Sequence, residues 1–266
     1  SSGFWSLVSA FLPAEKVGPL AGCRLHRNAP PLFVMFTKLL CDHLPNPLGI
    51  GNPQPRLSWN LTSKSPVQNQ KGYQLVVARE GIPLKEGREV EPGYWDSGMV
   101  SSGESLHIPI ELKLKSSTRY FWKVKVFGKG GQETPWSPKQ WFETAFLKKN
   151  EWTPRWIGRI RTDSEDRRPT LLRQAIHLKK DLQRARLSIS ALGLYFLEIN
   201  GKPVSEDYLV PGWTNYHKRN QYLVYDVTDA LQAGENCLGV LLGDGWYSGH
   251  LLFEYDRNFY GDQPAV

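Results

Sequence analysis

The stretch YFWKVKVFG, Tyr120 to Gly128, decides how the front of this chain is read. In an extended backbone successive side chains point to opposite faces, so Tyr120, Trp122, Val124 and Val126 share one side and Phe121, Lys123, Lys125 and Phe127 the other. The first set is the expected core face. Working outward, RLSWNL, YQLVVARE, YWDSGMV, SLHIPI and KQWFETAF repeat the theme between about residues 54 and 145, each bounded by Pro, Gly or Ser clusters. That many short strands in under a hundred residues predicts a small two-sheet sandwich. The composition agrees, with 10 Trp, 11 Tyr and 11 Phe against 2 Met in 266 residues.

A charged linker, LKKNEWTPRW, leads into a second strand-rich unit: TLLRQAIHL, RARLSISAL, LYFLEING, NQYLVYDVT, CLGVLLG and HLLFEYD. Within it DVTDALQAGEN predicts one short helical turn, with Thr228 as N-cap and Gly234 as its stop. The closing NFYGDQPAV shows neither a turn nor a polar tail, so this unit is expected to be incomplete at its C-terminus. Residues 1–34 show no clean period, and Met35 reads as a natural start. The expected division is therefore an unassigned or extraneous segment over 1–36, a sandwich over 37–147 and a second β module over 148–266. A mainly β protein follows.

Charge and cysteines exclude several classes. The net charge of +7 is spread along the chain, and LKKDLQRAR and PRWIGRIR interleave basic with apolar positions. They read as solvated strand faces, so no nucleic-acid partner is expected. Cys23, Cys41 and Cys237 are odd in number and lack paired spacing, which argues against disulfides and zinc; Cys237 reads as a small buried hydrophobe. No apolar run reaches 18 residues, so no membrane partner is expected, and the N-terminus lacks the basic start of a signal peptide. The unpaired thiols lean toward a reducing interior, and a cytoplasmic or periplasmic location is expected rather than a membrane one. The six His show no metal spacing, and the NLT sequon at Asn60 carries meaning only in a glycosylating pathway.

Two stretches are candidate sites. In LLGDGWYSGH, glycines at 243, 245 and 249 permit positive φ and would throw Asp244, Trp246 and Tyr247 outward. Aromatic faces stack on the C–H face of a sugar while a carboxylate accepts hydroxyl hydrogen bonds, a combination suited to a neutral ligand. Equally, burying one such ring removes ~150–250 Å², worth about 4–6 kcal/mol at most, so a purely structural turn stays open. NGKPVSEDYLVPGWTNYHKRNQY opens on an Asn200-Gly201 hairpin turn and then gathers Asp207, Trp213, Asn215, Tyr216, His217 and Arg219 in a long loop. Asp207 and Asp226 are too few carboxylates for calcium, so no cofactor is assigned. Trp95-Asp96-Ser97-Gly98 reads as a capped turn covered by the Trp.

Taken in order, NPLGIGNPQPRLSW, YQLVVA, WDSGMVSS, TRYFWKVKVFGKGGQETPWS, WFETAFL, LYFLEINGKPV, PGWTNYHKRNQYLVYDVTDALQAGEN and LGDGWYSG resemble the amino-terminal region of bacterial α-L-rhamnosidases. The resemblance runs from about residue 37 to the end. It implies a fibronectin-III-like sandwich followed by a jelly-roll module, ahead of an absent (α/α)6 barrel that carries inverting hydrolysis of rhamnose-containing glycans or glycosides. Such chemistry needs an acid and a base roughly 6.5–9.5 Å apart. The resemblance implies that both sit on the barrel, and nothing pairs Glu198, Glu206, Asp207, Asp244 or Glu254, so no catalytic residue is expected here. A stand-alone carbohydrate-binding or adhesion protein without catalysis is the alternative.

Overall fold

A computed structural model describes residues 35–87, 91–163, 166–180, 182–251 and 257–266. The described chain divides into two compact units, with the boundary between Trp152 and Thr153. The expectations for residues 1–34, for Cys23, for the second half of HLLFEYD and for Glu254 lie outside the described residues.

In the first unit, β1 (Phe36–Cys41), β2 (Arg56–Leu61) and β5 (Ile108–Pro109) form one sheet in the order β1-β2-β5. The second sheet has the order β4-β3-β6-β7, built from β3 (Gly72–Arg79), β4 (Tyr94–Asp96), β6 (Arg119–Phe127) and β7 (Gln140–Glu143). Every pairing between these strands is antiparallel. β6 alternates as its sequence demands. Tyr120, Trp122, Val124 and Val126 are buried, and they join Trp59, Leu75, Val77 and Phe142 in one core.

The other face of β6 is half-buried, because lysine stems and ammonium groups lie over aromatic rings. Lys139 Nζ sits 4.4 Å from the Phe121 ring centroid and Lys123 Nζ 4.2 Å from that of Trp136. β7 pairs only with residues 119–122 of β6. Further along, the Ser137 and Thr134 hydroxyls accept the Val124 and Val126 N–H groups, each at 3.0 Å, so side chains finish the ladder that Pro135 and Pro138 would interrupt.

The Trp-Asp-Ser-Gly segment is structural. Asp96 accepts hydrogen bonds from Gly87 N–H, Gly98 N–H and the Gln74 amide, and Ser97 Oγ accepts Leu75 N–H at 2.9 Å. β1 was not legible as a strand, because MFTKLLCDHL alternates poorly: only its two ends, Phe36 and Cys41, are buried.

The second unit holds a four-stranded sheet, β11-β10-β13-β8, and a two-stranded sheet, β12-β9. Its strands are β8 (Thr170–Leu178), β9 (Arg186–Ser190), β10 (Leu194–Ile199), β11 (Lys202–Pro203), β12 (Tyr222–Asp226) and β13 (Gly234–Gly243). All their pairings are antiparallel. Leu187, Ile189, Leu197, Ile199, Leu238, Val240 and Leu242 fill the space between the sheets. The mainly β class expected from the sequence, a sandwich ahead of a second sandwich-type module, is the one observed.

Asn200 and Gly201 form the expected two-residue turn, with φ of 54° and 73°. Asn200 does more than turn the chain. Its amide donates to the Ala230 carbonyl and to Asn236 Oδ1, and its Oδ1 accepts Cys237 N–H.

Three expectations are corrected. Thr228 lies inside a short 3-10 turn, Thr228–Ala230, whose N-cap position is Val227; Asp226 Oδ1 supplies the capping acceptor for Thr228 N–H at 3.1 Å. Cys237 faces outward from β13 and is half-buried, with Arg173 Nε donating to its sulfur at 3.1 Å. Two arginines of the basic stretches are not solvated: Arg186 and Arg161 are buried side chains, each paired with an aspartate.

Candidate functional site

β13 ends at Gly243 and runs through Asp244 into a single helical turn, α1 (Gly245–Ser248). Of the three glycines expected to take positive φ, only Gly245 does, at +50°. Gly249 is required for a different reason: a Cβ there would lie 2.1 Å from the Gly245 carbonyl oxygen, which accepts Gly249 N–H to close the turn. The tightness of this turn fixes where Trp246 and Tyr247 emerge.

Asp244 is not thrown outward. Its Oδ1 accepts from Arg161 at 2.6 Å and its Oδ2 from Arg257. The three side chains are 5%, 16% and 16% exposed for Arg161, Asp244 and Arg257, so the carboxylate is an internal clamp joining three separate segments. Arg257 Nε and Ser248 Oγ beside it are buried without a hydrogen-bond partner among the described residues.

The long loop after β11 is held by its own backbone. Tyr195 N–H donates to the Val210 carbonyl, Lys218 and Arg219 N–H both donate to the Asn215 carbonyl, and Thr214 Oγ1 donates to the Arg219 carbonyl at 2.8 Å. Asn215 Oδ1 accepts His217 N–H, the local turn that Asn favours.

These constraints bring the two candidate stretches together. The Trp213 and Trp246 indoles lie parallel, 8° between planes and 6.1 Å between centroids. Tyr216 meets Tyr247 edge to face at 5.4 Å. A third segment completes the cluster: Tyr260 contacts both Tyr216 and His217, and Phe259 contacts His217 and Tyr260. Trp213 is 50% exposed and Phe259 62%, whereas Tyr216 is buried. Asp207 and Arg219 are exposed, and no ion pair among the described residues engages either.

Burial raises the pKa of the Tyr216 and Tyr247 hydroxyls above the ordinary tyrosine value, with the neighbouring Tyr260 and Asp262 adding in turn. Both phenols are neutral across the physiological range.

Phe259, Tyr260, Arg161 and Arg257 were missed as members of this site. NFYGD has the same grammar as GDGWYSG, aromatics beside a glycine, and could have been found by that likeness. The arginines carried no local signal. Elsewhere Asp226 pairs with Arg186 at 2.8 Å, and Asp207 stands apart from it on the exposed loop. Among the described residues no three His, Cys, Asp or Glu side chains gather as a metal site, and no helix is long and apolar enough to cross a membrane.

The fold defines a modular β protein: a small sandwich, then a second β module with aromatic loops at the end of its larger sheet. Residues 36–148 match the model of the Rha78A-like N-terminal immunoglobulin domain, and residues 180–266 that of the alpha-L-rhamnosidase N-terminal domain. The chain carries these two N-terminal domains of alpha-L-rhamnosidases, in that order.

Among similar proteins, an alpha-L-rhamnosidase of Formosa agariphila is 39% identical over 243 residues, covering 82% of this chain and 26% of its own length. One from Alteromonas sp. (strain LOR) is 32% identical, covering 77% and 23%. The crystal structure of native alpha-L-rhamnosidase from Aspergillus terreus superposes with a TM-score of 0.75 at 32% identity, covering 87% of this chain and 26% of that one. The chain thus spans about a quarter of the length of the relatives it matches.

Proposed function

We propose that this chain is the N-terminal part of an α-L-rhamnosidase, an inverting glycoside hydrolase, in which two β modules support a separate (α/α)6 catalytic domain. Its aromatic cluster contributes carbohydrate recognition. The relatives support the parentage, and the convergence of Trp213 with Trp246 supports the recognition, because parallel offset indoles with one half-exposed member offer an apolar face for a pyranose ring.

Hydrolysis is assigned to the further domain. Inversion needs a protonated carboxyl and a second carboxylate set to activate water. Here both carboxylate oxygens of Asp244 are engaged by guanidinium groups, which leaves neither free to face a leaving oxygen or an attacking water.

Calorimetric titration of L-rhamnose into the whole chain tests the reading, with Trp213→Ala and Trp246→Ala alongside. Saturable binding lost in both variants while far-ultraviolet circular dichroism is unchanged is the expected result. Heat that survives both substitutions would move recognition elsewhere, and no heat at millimolar sugar would leave the cluster a structural turn. Incubation with an aryl α-L-rhamnoside is expected to release no rhamnose.

A further inference from the structure

We propose that the aromatic cluster of the second unit takes an anionic glycan, a rhamnoside bearing a uronate or comparable acid, rather than a neutral one. This rests on the cluster being a sugar platform and specifies what that platform selects.

A neutral sugar is usually held by an aromatic face together with side-chain carboxylate or amide acceptors for its hydroxyls. The carboxylate nearest the indoles in sequence, Asp244, has both oxygens already engaged by Arg161 and Arg257. Among the described residues, two guanidinium groups face this one carboxylate, which leaves the partly buried knot with an excess positive charge. Partly buried charges are screened less than surface ones, so its field persists toward the loops above.

Exposed basic residues stand beside the rings. The turn that carries Tyr216 continues through His217, Lys218 and Arg219, all exposed and with no acid among them. The Thr214 hydroxyl bond to the Arg219 carbonyl brings the backbone at this basic end of the turn back to the residue next to Trp213. Arg suits a carboxylate because its N–H fork meets both oxygens. Among the described residues an opposing acid is Asp262, whose charge is felt by the Tyr247 hydroxyl. Glu206 and Asp207 lie at the other end of the loop, where the charge of Asp207 reaches Tyr195.

Aromatic faces amid basic residues also suit single-stranded nucleic acid. A glycan is favoured because the platform belongs to a domain matching the alpha-L-rhamnosidase N-terminal model.

The experiment uses the whole chain and a matched pair of disaccharides, rhamnose joined to glucose and rhamnose joined to glucuronic acid, titrated at 20 and at 300 mM NaCl while indole fluorescence is followed. The acidic disaccharide is expected to bind about tenfold more tightly at low salt, with that margin shrinking at high salt. In the Lys218→Gln/Arg219→Gln double variant the two affinities should converge, while Trp213→Ala should lose both. Equal affinities in the wild type, still dependent on Trp213, would overturn the anionic class and leave the sugar platform standing. Absence of binding by either sugar to a folded chain would overturn both. Tighter, more salt-sensitive binding of oligothymidylate than of the acidic disaccharide would overturn the glycan assignment in favour of nucleic acid.

Discussion

The two units use aromatic residues in opposite ways. In the first, Trp59, Trp122, Tyr120 and Phe142 are at most 1% exposed and supply the bulk of the core. In the second, the core is mostly aliphatic, and the large rings collect on loops, where Trp213 and Phe259 remain at least half exposed. The difference arises in local sequence. Aromatics at alternate positions of β6 are directed inward by the strand period, whereas those of GDGWYSG, PGWTNYH and NFYGD follow glycines and turns that take the chain out of the sheet. Burial makes the first set a stability determinant. Exposure makes the second available for contact.

The strongest way to break this comparison is Trp122→Ala. Removing a fully buried ring should destabilise the first unit by about 3–5 kcal/mol, seen as a lowered urea midpoint. The fluorescence of the Trp213–Trp246 pair should be unchanged at urea concentrations below that transition. Simultaneous loss of that signal would mean the two aromatic sets are not energetically separate.

Asp244→Asn tests whether the exposed set depends on a hidden one. Removing one partner of a buried ion cluster typically costs about 3 kcal/mol or more. The second unit should unfold earlier and the Trp246 emission should shift toward that of water-exposed indole. An unchanged midpoint would show that the clamp does not hold the platform.

Asn200→Ala is a smaller perturbation. It deletes three side-chain hydrogen bonds and leaves a non-glycine residue at φ 54°. A loss of about 1–2 kcal/mol is expected, by the usual worth of such bonds and of a left-handed position. A matching loss in Asn200→Gly would assign the effect to the hydrogen bonds, since glycine relieves the backbone.

The smallest effect near neutral pH is alkaline. Burial, then the 3.1 Å bond to Tyr225, raises the Tyr195 pKa well above its ordinary 10.0. The folded state therefore keeps a proton that the unfolded chain releases, so this contribution is present below pH 10 and is lost as pH rises beyond it. Tyr195→Phe should reduce the fall in stability of the second unit by about 1.4 kcal/mol per pH unit above that point. Identical slopes in wild type and variant would refute the assignment. Tyr120 in the first unit is displaced in the same direction, again chiefly by burial, so the probe must report on the second unit alone.

Much of the fold was legible in the sequence because strands announce themselves locally. β2, β6 and β8 coincide closely with RLSWNL, RYFWKVKVFG and TLLRQAIHL, and Asn200-Gly201 carried its turn geometry in two residues. Where pattern was weak, as in β1, it pointed to no strand. Sorting buried from solvated arginines was also beyond it, since Arg161 and Arg159 sit in one basic stretch and only Arg161 reaches Asp244.

What the sequence by itself determined is the β class, the inward face of β6, the hairpin at Asn200 and the two loops rich in aromatic and polar groups. These are consequences of neighbours along the chain. Tertiary structure alone decided that the two loops are one cluster joined by Phe259 and Tyr260, and that Asp244 is an internal clamp rather than an outward acceptor. Contacts such as Trp213 with Trp246 and Arg161 with Asp244 join residues far apart in the chain, and no local pattern encodes which distant partner a side chain will meet.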